Sequence, residues 1–173
     1  MSGAPSLPNF FAQKAIVGVG DVAVSNNTTV TISTYALGSC VALVVYDSMV
    51  QAGGLIHIML PDSNLSLEKA QKQPAMFADT GIPLMFRNLM GLRVERKRLK
   101  AFVAGGASII SGADIFKIGE RNIAAVKKMV NILGIPVVRA DIGGVNNRTV
   151  HLNIATGEVE LKKPTGTFKF SLA

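Results

Sequence analysis

The chain holds one cysteine, Cys40, and two histidines, His57 and His151. A thiol beside an imidazole is the minimum equipment for nucleophilic acyl transfer: the sulfur attacks and the ring moves the proton. The residues around Cys40 and His57 are arranged for that. Leu37-Gly38-Ser39 forms a small-residue turn that delivers Cys40 to the start of an apolar run, residues 41–46. A second apolar run, residues 55–60, carries His57. Between them, Asp47, Ser48, Gly53 and Gly54 read as reversal chemistry, so the stretch is predicted to be a β-hairpin. A loop centred on Ser48 and Met49 would set Cys40 directly opposite His57. A register shifted by two would set His57 opposite Ala42 and diagonal to Cys40. In both registers the side chains share one face, with Cβ atoms about 4.5–5.5 Å apart if directly opposed and still within reach of a ring if diagonal. A slip of one residue would separate them.

A lone cysteine is ordinarily a small buried hydrophobe, and a lone histidine on an apolar strand a satisfied core residue. Their joint placement on one face, just after a Gly-Ser turn, favours chemistry instead. The backbone N–H groups of Ser39 and Cys40 can point at an incoming carbonyl oxygen and form an oxyanion hole. A neighbouring imidazole is expected to favour the thiolate and hence rapid alkylation of Cys40. The ring also needs an orienter. Thr34, on the preceding strand, and Asp62, just past the His57 strand, both qualify, and spacing does not choose between them. His151 lies in a terminal strand and reads as structural.

The elements that must hold these groups are those of a layered fold. Residues 40–46 and 55–60 are apolar on both faces, as in strands covered on both sides. Residues 15–24 and 28–34 alternate and flank Asn26-Asn27, which predicts a second hairpin. A polar loop is expected over residues 62–73 and a helix over 74–90, with Ile82, Met85, Phe86 and Leu89 at helical spacing and Gly91 closing it. A strand over 99–104 ends at Gly105-Gly106. A helix over 119–133 follows, with Ile123, Val126, Val130 and Leu133 as its core stripe and Gly134 and Pro136 as its stop. Strands over 136–141, 149–154 and 158–163 come last. Residues 1–14 read as a flexible arm, 15–163 as one domain, and 164–173 as a tail that adds an edge strand or stays disordered.

At 173 residues, 49% of them hydrophobic, the chain can bury a sizeable core. No apolar run approaches the roughly 20 residues of a membrane helix, and the Pro-interrupted N-terminus lacks the features of a signal peptide. The single cysteine fits a reducing, cytoplasmic setting. The net charge of +7 favours an acidic partner. The short basic run 93–100 comes without zinc-ligand spacing, RNA-binding or helix-turn-helix patterns, so a nucleic-acid partner is not expected. Gly105-Gly106 and Gly143-Gly144 lack dinucleotide or Walker spacing, and no cofactor or metal is expected.

Thr34-Tyr-Ala-Leu-Gly-Ser-Cys40 followed by His57-Ile-Met-Leu-Pro-Asp62 resembles the CheD family, the chemoreceptor glutamine deamidases of bacterial chemotaxis. The resemblance continues through Phe77-Ala-Asp79, Gly105-Gly-Ala-Ser108, Ile118-Gly-Glu-Arg-Asn122, Asp141-Ile-Gly-Gly144 with Arg148, and Asn153-Ile-Ala-Thr-Gly157. It covers residues 15–163. It implies an α/β layered sandwich of β-sheets with flanking helices, related to the catalytic domain of cytotoxic necrotizing factor. It also implies catalytic Cys40, His57 and Thr34, and so selects Thr34 as the orienter. The implied substrates are glutamine side chains on the cytoplasmic helices of chemoreceptors, converted through a cysteine thioester, and the phosphatase CheC is an implied partner. Departures are Ala36 and Asn147, where glycine is common, and Lys117, where asparagine is. A non-catalytic regulator of CheC, or a transglutaminase or thiol hydrolase using the same acyl-enzyme, would fit the same residues.

Overall fold

The computed structural model describes residues 12–108 and 116–173. Among these the order is β1 (Gln13–Ile16), β2 (Val22–Ser25), β3 (Val30–Leu37), β4 (Val41–Asp47), β5 (Ala52–Ile58), α1 (Leu67–Lys72), α2 (Ala78–Met90), β6 (Lys100–Gly105), α3 (Ile118–Ile132), β7 (Val137–Ile142), β8 (Arg148–Asn153), β9 (Glu158–Lys163) and β10 (Gly166–Ser171). One sheet runs β1-β3-β8-β9-β10 and the other β2-β5-β4-β6-β7.

Period-two alternation along the central strand β4 explains the layering. Val41, Leu43 and Val45 pack with Ile82, Met85 and Leu89 of α2 and with Val126 and Val130 of α3. Ala42, Val44 and Tyr46 point the other way and pack with Ile32, Val150, Leu152 and Leu161 of the first sheet. Every residue of β4 and β5 is buried. The layers are therefore helices, second sheet, first sheet: the layered fold expected from the doubly apolar strands, and the α/β sandwich that the family resemblance implies. The outer face of the first sheet is left to solvent, and β8 alternates between buried and half-buried residues accordingly.

The hairpin of β4 and β5 adopts the shifted register, with Ala42 opposite His57 and Asp47 opposite Ala52. Gly53 and Gly54 are not part of its loop; they lie inside β5, and residues 48–51 make the reversal. Packing is the reason. A Cβ at Gly53 would lie 2.7 Å from the Val45 carbonyl oxygen, and one at Gly54 2.9 Å from Val24 Cγ1.

The second predicted hairpin does not form. β2 pairs with β5, whereas β1 pairs in parallel with β3, so the strands on either side of Asn26-Asn27 belong to different sheets. The turn itself exists: Asn27 Oδ1 accepts from the Thr29 N–H and hydroxyl. It works as an arch between layers because β2 pairs with β5 in one sheet and β3 with β1 in the other. The predicted loop 62–73 contains α1, capped by the Ser66 hydroxyl, and the predicted helix 74–90 breaks at Phe77. That residue is extended and bridges Leu60. The tail forms β10 on β9. Most of the predicted N-terminal arm, residues 1–11, lies outside the described residues, and Gln13 and Lys14 already belong to β1. In the basic run 93–100, residues 93–99 form a loop with one 3-10 turn and Lys100 opens β6; the loop is tied down by Arg98 Nε donating to the buried Asp47 carboxylate at 3.0 Å. No described helix is long and apolar enough to cross a membrane.

β3 carries one irregularity. Ile32, Thr34 and Leu37 are all fully buried, which a regular strand cannot arrange for residues three apart. A bulge resolves this: Thr34 pairs with Val150 and Leu37 with Arg148, one extra residue on the β3 side. Ala36 takes a left-handed φ of 55° to make it, a conformation that costs a residue with a Cβ about 1–2 kcal/mol.

Candidate active site

His57 points from β5 into the space between the sheets, on the same face as Ala42. Cys40 sits at the mouth of β4, two residues before Ala42, and packs half-buried against the inter-sheet core. The two are therefore diagonal neighbours on one face. Thr34 reaches them from the opposite sheet. Its Oγ1 lies 2.7 Å from His57 Nδ1 and donates to the Val17 carbonyl oxygen at 2.7 Å. A hydroxyl has one proton to give. Because the Val17 carbonyl can only accept, that proton is committed there, and Thr34 must accept from His57. The ring therefore carries its proton on Nδ1 and presents a bare lone pair at Nε2. His57 Nε2 is buried and makes no hydrogen bond among the described residues.

The alternative orienter is elsewhere: Asp62 accepts from the Asn64 N–H as a cap. The loop after β1 completes the holder. The His57 N–H donates to the Asp21 carbonyl at 3.0 Å and the Gly20 N–H to the His57 carbonyl at 2.8 Å. His151 stands on the far face of the first sheet, its Nδ1 2.7 Å from the Ser33 hydroxyl and its ring edge-on to Tyr35.

The turn before β4 is fixed by its carbonyls. Gly38 O accepts from the Ala107 N–H at 2.9 Å and Cys40 O from the Gly106 N–H at 2.8 Å. Gly105 and Gly106 are required for this approach: both have positive φ, and a Cβ at Gly105 would overlap the Cys40 carbonyl oxygen. The amides of Ser39 and Cys40 donate to no backbone carbonyl among the described residues, and the Cys40 N–H faces its own sulfur. Nothing would meet a Cβ at Gly38, and a cavity of about 430 Å³ opens beside it, lined by Ala107, Ser108, Val145 and Asn146 among others.

Sequence reasoning did not single out Asn122. This α3 residue is fully buried, and its Nδ2 donates to both the Ser39 and Met59 carbonyls at 3.0 Å. Its Oδ1 is buried without a partner among the described residues, a state that costs about 1–3 kcal/mol. The motif Ile118–Asn122 carried the residue, but nothing in its spacing says that the side chain turns inward toward the Cys40 turn.

Burial sets the protonation state. It pushes the Cys40 thiol above its ordinary range and His57 down to about 4. The resting pair is therefore a neutral thiol and a neutral imidazole, which corrects the expectation of a ready thiolate. A neutral thiol and a neutral imidazole on one face suit general-base delivery rather than a standing ion pair. Two results are expected. Iodoacetamide should alkylate Cys40 more slowly than an exposed thiol at pH 7 and faster as pH rises; rapid neutral labelling would mean an ion pair instead. Stability should also fall with acid. Between pH 6.5 and about 4 the unfolded ring binds a proton that the folded ring does not. The difference is about 3 kcal/mol, lost as pH drops through that window. Denaturant melts of wild type and His57→Gln would show it as a steeper fall with acid in the wild type, since His151, Asp47 and Asp141 contribute equally to both.

The model of the family described as CheD chemotactic sensory transduction matches residues 59–163. The chain is similar to the probable chemoreceptor glutamine deamidase CheD 1 of Syntrophus aciditrophicus, at 46% identity over 89% of this chain and 96% of that one. It is similar also to the probable chemoreceptor glutamine deamidase CheD of Solibacter usitatus, at 41% over 87% and 89%. The corresponding protein of Pyrococcus abyssi matches at 39% over 87% and 91%.

Proposed function

The chain belongs to the CheD family, and from that premise we propose that its chemistry, hydrolysis of chemoreceptor glutamine side chains to glutamate, runs through Cys40, His57 and Thr34. The observation that supports this most is the bare Nε2 of His57, set by the Thr34–Val17 hydrogen bonds and facing the same inter-sheet space as the thiol.

In the first step, His57 Nε2 removes the Cys40 proton while sulfur bonds to the carboxamide carbon. The oxyanion that forms is held by the Ser39 and Cys40 amides. Nε2–H then gives its proton to the departing nitrogen; the C–N bond breaks, ammonia leaves and a thioester remains. His57 next deprotonates a water, whose oxygen attacks the thioester. The carbon–sulfur bond breaks, sulfur recovers the proton and the product is glutamate. We place the entrance for the glutamine side chain at the cavity beside Gly38, on the turn that leads to Cys40. No cofactor is needed for this sequence.

The test is mass spectrometry of receptor cytoplasmic fragments incubated with the purified chain. Glutamine-to-glutamate mass increments with ammonia release support deamidation. Unchanged fragments, or amine incorporation in place of hydrolysis, would reject it.

A further inference from the structure

We propose that Asn122 is a positioning residue that aims the oxyanion donor of Cys40; the proposal rests on the reading of Cys40 as nucleophile. The Ser39 carbonyl and the Cys40 N–H belong to one peptide unit. No described peptide is cis, so the two bonds point in opposite directions, and whatever holds the carbonyl decides where the N–H points. Asn122 Nδ2 holds that carbonyl at 3.0 Å.

The neighbouring unit is handled the same way. The Gly38 carbonyl, held by the Ala107 N–H, fixes the direction of the Ser39 N–H. Of the two grips, one is backbone and the other is this single side chain. The second proton of Asn122 Nδ2 goes to the Met59 carbonyl. Met59 lies next along β5 from Ile58, the partner of Val41, and so flanks the hairpin mouth across from Cys40. One amide group thus clamps both sides of that mouth.

The helix is shaped to permit it. Gly119 precedes Asn122 by one turn, and a Cβ there would lie 2.6 Å from the Gly106 carbonyl oxygen and 2.8 Å from that of Ala107. Only a glycine lets α3 come close enough to the Cys40 turn. The side chain gains nothing through its oxygen, which is buried and unpaired. Its two N–H bonds to carbonyls are therefore what this asparagine supplies.

The test separates aiming from folding by using two reactions of the same thiol. Deamidation passes through an oxyanion; alkylation by iodoacetamide does not. Asn122→Leu keeps the volume and removes both donors. It should lower kcat on receptor fragments by about 10²-fold, the effect of misplacing a reacting group by about 1 Å, with KM unchanged. Its iodoacetamide rate at each pH should match wild type. Equal loss in both reactions, or kcat within about threefold of wild type, would overturn the proposal. Should Asn122→Leu not fold, Asn122→Asp decides. Its carboxyl can donate only when protonated, so kcat relative to wild type should rise as pH falls; a flat ratio would overturn the proposal. A Cys40→Ala control reports on the underlying reading separately. If that variant still deamidates, the nucleophile assignment has failed, whatever the Asn122 variants do.

Discussion

Cys40→Ala is expected to abolish receptor deamidation and leave the fold intact. The chain has no second thiol to substitute, and the acyl-enzyme route has no nucleophile without it. The side chain is only half-buried, so its loss should cost about 1 kcal/mol of stability, within the ordinary range for a point change. Cys40→Ser is the stricter version. It keeps the size and a hydroxyl in place, but an oxygen facing a base as weak as a ring held near 4 is hardly activated. Both variants should show receptor fragments at their unmodified mass after incubation with amounts of enzyme that convert them fully in the wild type. Conversion above the enzyme-free background by a folded Cys40→Ala protein would refute the assignment.

Thr34→Val should reduce turnover by about 10²–10⁴-fold, the usual worth of a positioned acid–base group. The substitution preserves shape and removes the one hydroxyl that bridges the Val17 carbonyl and the His57 ring. The Val17 carbonyl then loses its donor, and His57 Nδ1 loses the acceptor that kept its proton there. The ring can now carry its proton on Nε2, where it cannot accept from the thiol. Each orphaned buried group costs about 1–3 kcal/mol, so the variant should also melt earlier. Thr34→Ser restores the oxygen and should restore most of the rate. Asp62→Asn should have little effect, because that carboxylate serves the Asn64 amide. Receptor deamidation rates, with circular dichroism to verify folding, decide the matter. A folded Thr34→Val variant with wild-type turnover would show that the hydroxyl is dispensable.

The core of the site was legible in the sequence because it depends on short-range chemistry. The Gly-Ser turn, the apolar runs and the parity of Cys40 and His57 suffice to place thiol and ring on one face. Only the choice between two registers was left open. What was not legible depends on contacts between layers. Nothing local told residues 15–34 that their strands would part into different sheets rather than pair with each other. Nothing local marked Gly53 and Gly54 as packing positions, since a glycine pair in a loop looks the same until both faces of the strand are known to be covered. Asn122 was hidden for a similar reason: its partners are backbone carbonyls of distant residues, which leave no mark in side-chain chemistry. Two of the departures from the family pattern acquire a physical meaning. Ala36 and Lys117 both have left-handed backbone, at φ 55° and 47°, where glycine or asparagine is accommodated with less strain.

The division of the three groups between two sheets also links the chemistry to the order in which the chain is made. Cys40 and His57 leave the ribosome together on one hairpin, soon after Thr34. Yet β3 is held on one side by β8, with Thr34 against Val150, and β8 in turn by β9, both close to the end of the chain. The hairpin alone brings the thiol and the imidazole onto one face; the hydroxyl that fixes the ring tautomer comes from the other sheet. The strand that carries Thr34 is thus held between β1, which precedes the hairpin, and β8, which follows it at long range.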